Sequence, residues 1–241
     1  MRPVFNHLLL GPQEAERRVA EWIKRGDPKA PLDLSKLGLT ALPDLPGSLE
    51  VLRCSGNHLS TLTDLPGSLK VLDCPFNQLS TLAGLPDSLR RLHCEYNQLS
   101  TLPDLPGSLW MLGCSYNQLS TLPELPNSLR KLFCCNNHLS TLPGLPDSLE
   151  WLSCGKNQLS TLTDLPGSLK VLDCPFNQLS TLAGLPDSLL ELHCEHNQLS
   201  TLPRLPGLLR WLDCEHNPLS TLPDLPDSLE VSRLPSLLSY H

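Results

Sequence analysis

The side chains with the widest chemical reach in this sequence lie between residues 190 and 216. His193, Glu195 and His196 repeat their spacing in Asp213, Glu215 and His216, twenty residues on. Imidazole nitrogens and carboxylate oxygens ligate divalent ions, and imidazole also titrates in mild acid. His193, Asp213 and His216 are the candidate ligands of such a site. Exposed His and acid residues more often only solvate a surface, so the expectation is no metal and no cofactor. A thiol is the second candidate. Cys135 stands outside the spacing that places the other cysteines, and His138 is the nearest base. A nucleophile needs a base within hydrogen-bond reach, and His138 falls in the turn after the strand. No catalytic residue is therefore expected, and the chain is read as not an enzyme. No Cys-x-x-Cys occurs, which argues against zinc sites of the finger or ribbon kind.

What positions these groups is a frame that returns every twenty residues. Cys54, Cys74, Cys94, Cys114, Cys134, Cys154, Cys174, Cys194 and Cys214 occupy equivalent places. Written from Leu69, the unit is L-x-x-L-x-C-x-x-N-x-L-S-T-L-x-x-L-P-x-S. One short strand and a turn cannot bury those leucines alone, so each unit must stack on its neighbours. The fold class that follows is an α/β repeat solenoid. It is a leucine-rich-repeat horseshoe with a parallel β-sheet on its concave side and extended, polyproline-like segments on its convex side. The 24 prolines, spread through the repeat, exclude helices there. Parallel strands aim neighbouring Cys side chains alongside one another, which suits disulfides poorly, and the column reads as small buried hydrophobes. Asn57, Asn77 and their equivalents through Asn217 are expected to satisfy buried backbone groups of their own and the adjacent turn. The Ser60-Thr61 pair and its copies are assigned to turn capping.

The chain divides into a leader (1–11), a capping helix and linker (12–31), the solenoid (32–228), and a degenerate repeat and tail (229–241), which together make one domain. The leader's apolar run is too short for a secretory signal, and no stretch is long and apolar enough for membrane insertion. In the helix, Ala15, Val19, Trp22 and Ile23 form an apolar stripe that lies over the first repeat. Leu34 takes the Cys place and Leu37 the Asn place in that first, degenerate unit. Ser60 to Leu89 recur unchanged as Ser160 to Leu189, so Asp73, Pro75 and Phe76 reappear as Asp173, Pro175 and Phe176. Near the end, Ser232 replaces a core leucine, and regular stacking should falter. A net charge of -7 argues against a nucleic-acid partner.

Glu14 through Pro46, followed by Leu-Pro-x-Ser-Leu and Asn-x-Leu-Ser-Thr-Leu-Pro, resembles the amino-terminal part of the YopM and IpaH (SspH-like) family of bacterial type III effectors. The resemblance covers nearly the whole chain. It implies a virulence-associated effector scaffold, found in the bacterial cytoplasm or exported into a host cell by a route other than Sec. Some members of that family add a helical ubiquitin ligase domain with a catalytic Cys-x-Asp. No cysteine here is followed two residues later by Asp, so no residue inherits the nucleophile's role. Where that family usually carries Val or Leu at the third inward position, this chain carries Cys.

Alternation along a strand sends the residues flanking each buried Leu and Cys to the concave face, and that face is the candidate site. It holds Arg53, Lys70, Arg90, Arg91, Arg130 and Lys131 toward the amino half, and acids toward the other. Aromatic residues are only 5% of the chain, yet most are expected at outward strand positions. Phe76, Tyr96, Met111, Tyr116, Phe133 and Trp151, with Arg91 and Lys131, are the candidate partner-binding residues. The plainer reading is a ladder of rings packed along its own sheet. The function expected is a non-enzymatic protein-binding scaffold docking a host protein. The alternatives are the recognition part of a truncated or split ubiquitin ligase, and a structural or surface-attached repeat module. Oligomeric state is left open.

Overall fold

The computed structural model describes residues 10–182 and 184–235. The chain gathers into two compact units, one up to Gln118 and one from Leu119. The first opens with helix α1 (Leu10–Arg25). Pro12 sits in its first turn, where a missing N–H costs nothing, and Lys24 and Arg25 face the carbonyl end of the helix dipole. Glu14 accepts hydrogen bonds from both Arg17 and Arg18, 2.7 and 2.8 Å away, which holds its carboxyl down to about 2.

Ala15, Val19 and Trp22 are buried beneath α1, but Ile23 is 57% exposed. At about 100° per residue Ile23 lies roughly 80° round the helix from Ala15, past the edge of the contact. Trp22 Nε1 donates to the Ala30 carbonyl at 2.7 Å, and Arg18 Nη1 to the Asp33 carbonyl at 2.9 Å, which pins the helix to the first coil. Gly11 allows the close approach: a Cβ there would stand 2.0 Å from the carbonyl oxygen of Leu37.

The first unit continues through β1 (Leu32–Asp33), β2 (Val51–Arg53), β3 (Val71–Asp73), β4 (Arg91–His93) and β5 (Met111–Gly113). Successive strands pair in parallel, with Leu32, Leu52, Leu72, Leu92 and Leu112 in one row. The second unit carries β6 (Lys131–Phe133), β7 (Trp151–Ser153), β8 (Val171–Asp173), β9 (Glu191–His193), β10 (Trp211–Asp213) and β11 (Val231–Arg233), paired in the same way. The strands are short because the next inward residue is Cys, followed by a turn. The backs are neither helix nor strand. Each closes in a turn such as Pro66 to Leu69, where the Leu69 N–H donates to the Pro66 carbonyl at 3.0 Å.

Four leucines and one cysteine fill the interior of a typical coil, as with Leu69, Leu72, Cys74 and Leu79, all fully buried, and Leu82, 5% exposed. Removing one such leucine side chain from water is worth about 2 kcal/mol, and every coil repeats the gain. None of the ten cysteines is bonded to another, and all but Cys135 are buried. Burial pushes the thiols of Cys54 and Cys214 up to about 12. Cys74 Sγ donates to the His93 carbonyl at 3.2 Å, and Cys94 Sγ to that of Gly113 at 3.3 Å.

The Asn ladder binds neighbouring coils as expected. Asn97 Nδ2 donates to the carbonyls of Cys74 and Cys94, and its Oδ1 accepts the Leu79 N–H at 3.0 Å. At the Ser60-Thr61 position the residues are exposed, and Ser220 Oγ reaches the Ser200 carbonyl one coil away at 3.3 Å, but the regular hydroxyl ladder lies elsewhere. It belongs to the Ser of Leu-Pro-x-Ser: Ser88 Oγ lies 2.7 Å from the carbonyl oxygens of both Gly67 and Leu69, one coil away. The tight turn beside Pro86 aims that hydroxyl at the preceding coil. At the far end, β11 keeps parallel register with β10, although Ser232 is exposed. The main chain goes on pairing after the side chains have stopped filling a core. The leader up to residue 9 and the tail from residue 236 lie outside the described residues.

Candidate functional site

The exposed face of the sheet is built from the residues on either side of each buried leucine, and just past it runs a second row. Phe76, Tyr96, Tyr116, Lys156, Phe176, His196 and His216 all take positive φ, between 53° and 57°. These are turn positions, not outward strand positions. Period-two alternation from Leu72 and Cys74 would turn residue 76 inward. The left-handed backbone reverses it, so that Phe76 faces solvent and Asn77 faces the core. Each turn is fixed by its backbone: the N–H groups of Phe76 and Tyr96 donate to the carbonyls of Glu95 and Ser115, 3.1 and 3.0 Å away.

In the first unit this row is a ring stack. Phe76 and Tyr96 have centroids 4.3 Å apart and planes within 10°, and Tyr96 and Tyr116 are 4.2 Å apart within 12°. The rings pack along their own row as the plainer expectation had it, yet remain 41% to 57% exposed. A hydrogen bond to Tyr116 is the main reason the Tyr96 phenol is raised above its ordinary value. On the strands beside the stack, the Arg91 guanidinium lies 5.7 Å from the Trp110 ring centre, and Met111 is half-buried.

The second unit holds the other expected contact residues. Phe133 tilts against Trp151 at 5.9 Å, and Lys131 Nζ lies 5.6 Å from the Trp151 ring centre. Its turn row stacks Phe176 on His196 at 4.2 Å and His196 on His216 at 4.0 Å. Lys156 Nζ lies over Phe176 at 5.6 Å. The structure thus groups Phe76, Tyr96, Tyr116, Arg91 and Met111 in one unit and Lys131, Phe133 and Trp151 in the other. Of the charges expected to mark the face, Lys70 is paired at 2.7 Å with Glu50, and nearby Lys170 is paired in the same way at 2.8 Å with Glu150.

His193, Asp213 and His216 do not converge. His216 is taken up in the stack on His196, His193 leans on Trp211 at 5.8 Å, and Asp213 lies 3.7 Å from Arg233 Nη1. Among the described residues no group of three His, Cys, Asp or Glu is arranged to hold a metal ion. Beside them, Glu195 Oε2 and Trp211 Nε1 are buried without a hydrogen-bond partner, and burial raises the Glu195 carboxyl. Cys135 Sγ lies 3.0 Å from Ser153 Oγ, which in turn donates to Asp173. Burial raises this thiol, the opposite of what activates a nucleophile, and His138 sits exposed in the following turn. In the first unit His93 Nδ1 lies 3.4 Å from Glu95, and that hydrogen bond raises the imidazole. Gly56 and Lys156 were not among the expected site residues. Their place in the frame, twenty residues before Phe76 and Phe176, marks them as members of the same row.

No protein-family model matches this chain, and neither does any curated protein sequence. Solved structures do. YopM from Yersinia enterocolitica WA-314 is 41% identical over 81% of this chain, with a TM-score of 0.73, and the chain spans 48% of that protein. A Shigella effector LRR domain is 28% identical over 87% of this chain and 78% of its own, at a TM-score of 0.55. A functional domain of InlJ from Listeria monocytogenes, described as including a cysteine ladder, shares the fold at 23% identity, over 80% of this chain and 53% of its own, with a TM-score of 0.63. No described helix is long and apolar enough to cross a membrane. In its twenty-residue coils, capping helix and parallel sheet, this chain is similar to the bacterial leucine-rich-repeat effectors and spans about half the length of the YopM it matches.

Proposed function

We propose that this chain is a non-enzymatic protein-binding scaffold that docks a host-cell protein on the exposed side of its sheet. The contact residues are Phe76, Tyr96, Tyr116, Arg91 and Met111 in the first unit, and Lys131, Phe133 and Trp151 in the second. One observation carries the reading: a chain with few aromatic residues leaves three of them stacked and 41% to 57% exposed in a single row. Large, rigid rings with polar tips are the side chains that supply most binding energy at protein interfaces. Holding them in a stack before contact removes the entropy cost of ordering them. As an effector, the protein would act inside a host cell after export by a route other than Sec.

The test is capture from host-cell lysate by the whole chain and by a Tyr116→Ala, Trp151→Ala variant, with captured proteins quantified. Loss of two interface aromatics weakens a genuine partner by about thirtyfold or more. Equal recovery of every protein by both chains would overturn the location.

A further inference from the structure

The aromatic row of the first unit is incomplete at one end. Going back from Phe76, the next place in the row is Gly56, whose φ of 66° matches its neighbours but which has no side chain; the one before it is Lys36, at φ 58°. The internal copy shows what this omission does. Phe176 lies in the same thirty-residue segment, repeated without change, but the place before it holds Lys156, whose ammonium lies 5.6 Å over the ring. Phe76 is 57% exposed and Phe176 44%. The following neighbours work against this difference, since Tyr96 covers more of a ring than His196 does. The extra exposure of Phe76 therefore belongs to the face turned toward Gly56. Among the described residues neither a ring nor a cation lies over that face.

We infer that the empty place at Gly56 is a slot for one planar aromatic side chain, Trp or Tyr, of a protein partner. Its dimensions fit. Two strand spacings separate the Lys36 and Phe76 places, roughly 9.5 Å, and a flat ring in contact on both faces takes about 7 Å. The row already stacks rings at 4.2 and 4.3 Å, so an inserted ring continues it by one. Lys36 leans over the base of the slot from its far side, its Cγ 3.2 Å from where a Cβ at Gly56 would stand, so an inserted ring packs on the Lys36 stem as well as on Phe76. A cation there attracts the face of an aromatic ring and repels a guanidinium, which selects Trp or Tyr over Arg. The inference rests on the docking reading for its partner. The slot itself can be tested without one.

The experiment is NMR titration of the full chain with N-acetyltryptophanamide and, separately, N-acetylargininamide. Phe ring resonances are assigned with Phe76→Leu and Phe176→Leu. The tryptophan probe is expected to shift the Phe76 ring protons upfield and saturably, leaving Phe176 unmoved, with the arginine probe ineffective. Gly56→Lys, which copies Lys156 at a turn that non-glycine residues occupy throughout the row, abolishes the response. Phe76→Leu, a change at an exposed ring, abolishes binding at the same site. Lys36→Ala weakens it about two- to fivefold. Equal shifts at Phe76 and Phe176, persistence of binding in Gly56→Lys or Phe76→Leu, an equal response to the arginine probe, or unchanged binding in Lys36→Ala overturns the slot. None of those results touches the docking reading, which stands or falls on capture by Tyr116 and Trp151.

Discussion

Asn77 reaches back one coil to the carbonyl of Cys54, with Nδ2 at 3.0 Å, while its Oδ1 receives the Leu59 N–H at 3.1 Å. Its second amide proton goes to Cys74 in its own coil. One side chain thus satisfies a donor and two acceptors that the packed leucines shut off from water. Replacing Asn77 with Leu keeps the size but leaves those groups unmatched, at about 1–3 kcal/mol for the first and more if the coil shifts. The expected loss is about 2–4 kcal/mol, read from the midpoint of urea unfolding.

The Ser ladder of the back is interrupted once, at Leu208, which is 59% exposed. Its counterpart Ser188 sits 2.7 Å from the carbonyl oxygens of both Gly167 and Leu169. Leu208→Ser restores the equivalent reach to the Asp187 and Leu189 carbonyls and removes an exposed apolar side chain. A gain of about 0.5–1.5 kcal/mol is expected, seen as a raised Tm.

Thiol reactivity should divide the cysteines sharply. Cys135 is half-buried and the others are buried, and burial raises the thiols of Cys54 and Cys214 to about 12. Under native conditions Ellman's reagent should label Cys135 alone. It should do so more slowly than a free thiol, because burial raises Cys135 too and leaves less thiolate near neutral pH. The remaining cysteines should react together as the coils open, and Cys135→Ser should remove only the first phase.

His93 provides a pH signature. Its hydrogen bond to Glu95 raises the folded imidazole above its ordinary value of 6.5. A folded-state pKa above the unfolded one adds stability that is present in full below the unfolded value and is lost as pH rises through the folded value. The stability difference between the wild type and His93→Gln should therefore be greater at pH 5.5 than at pH 8.5. Urea unfolding at the two pH values measures it, and equal differences would refute the assignment.

Much of this molecule is legible in twenty residues of sequence. Leu72, Cys74, Asn77 and Leu79 recur at fixed spacing, and each is apolar or able to bond backbone in the one way a stacked coil requires. Sequence alone therefore determines the coil, its parallel register and its buried thiol column, because a short unit can hide its leucines only against a copy of itself. The helix stripe is legible for the same reason through Ala15, Val19 and Trp22. Its edge at Ile23 is not, since where a helix stops touching depends on the curvature of what it touches. The tertiary structure decided where the chemistry faces. Positive φ turns Phe76, Tyr96 and Tyr116 out of the alternation that the strands predict. Ring stacking draws His216 onto His196, and among the described residues the spacing that suggested metal ligands brings no three of them together. Ser88 rather than Ser60 bridges the backs, because the bridge depends on the height of a hydroxyl above the preceding coil. Periodicity specifies which residues are equivalent; the direction of each side chain emerges only when one coil lies on the next.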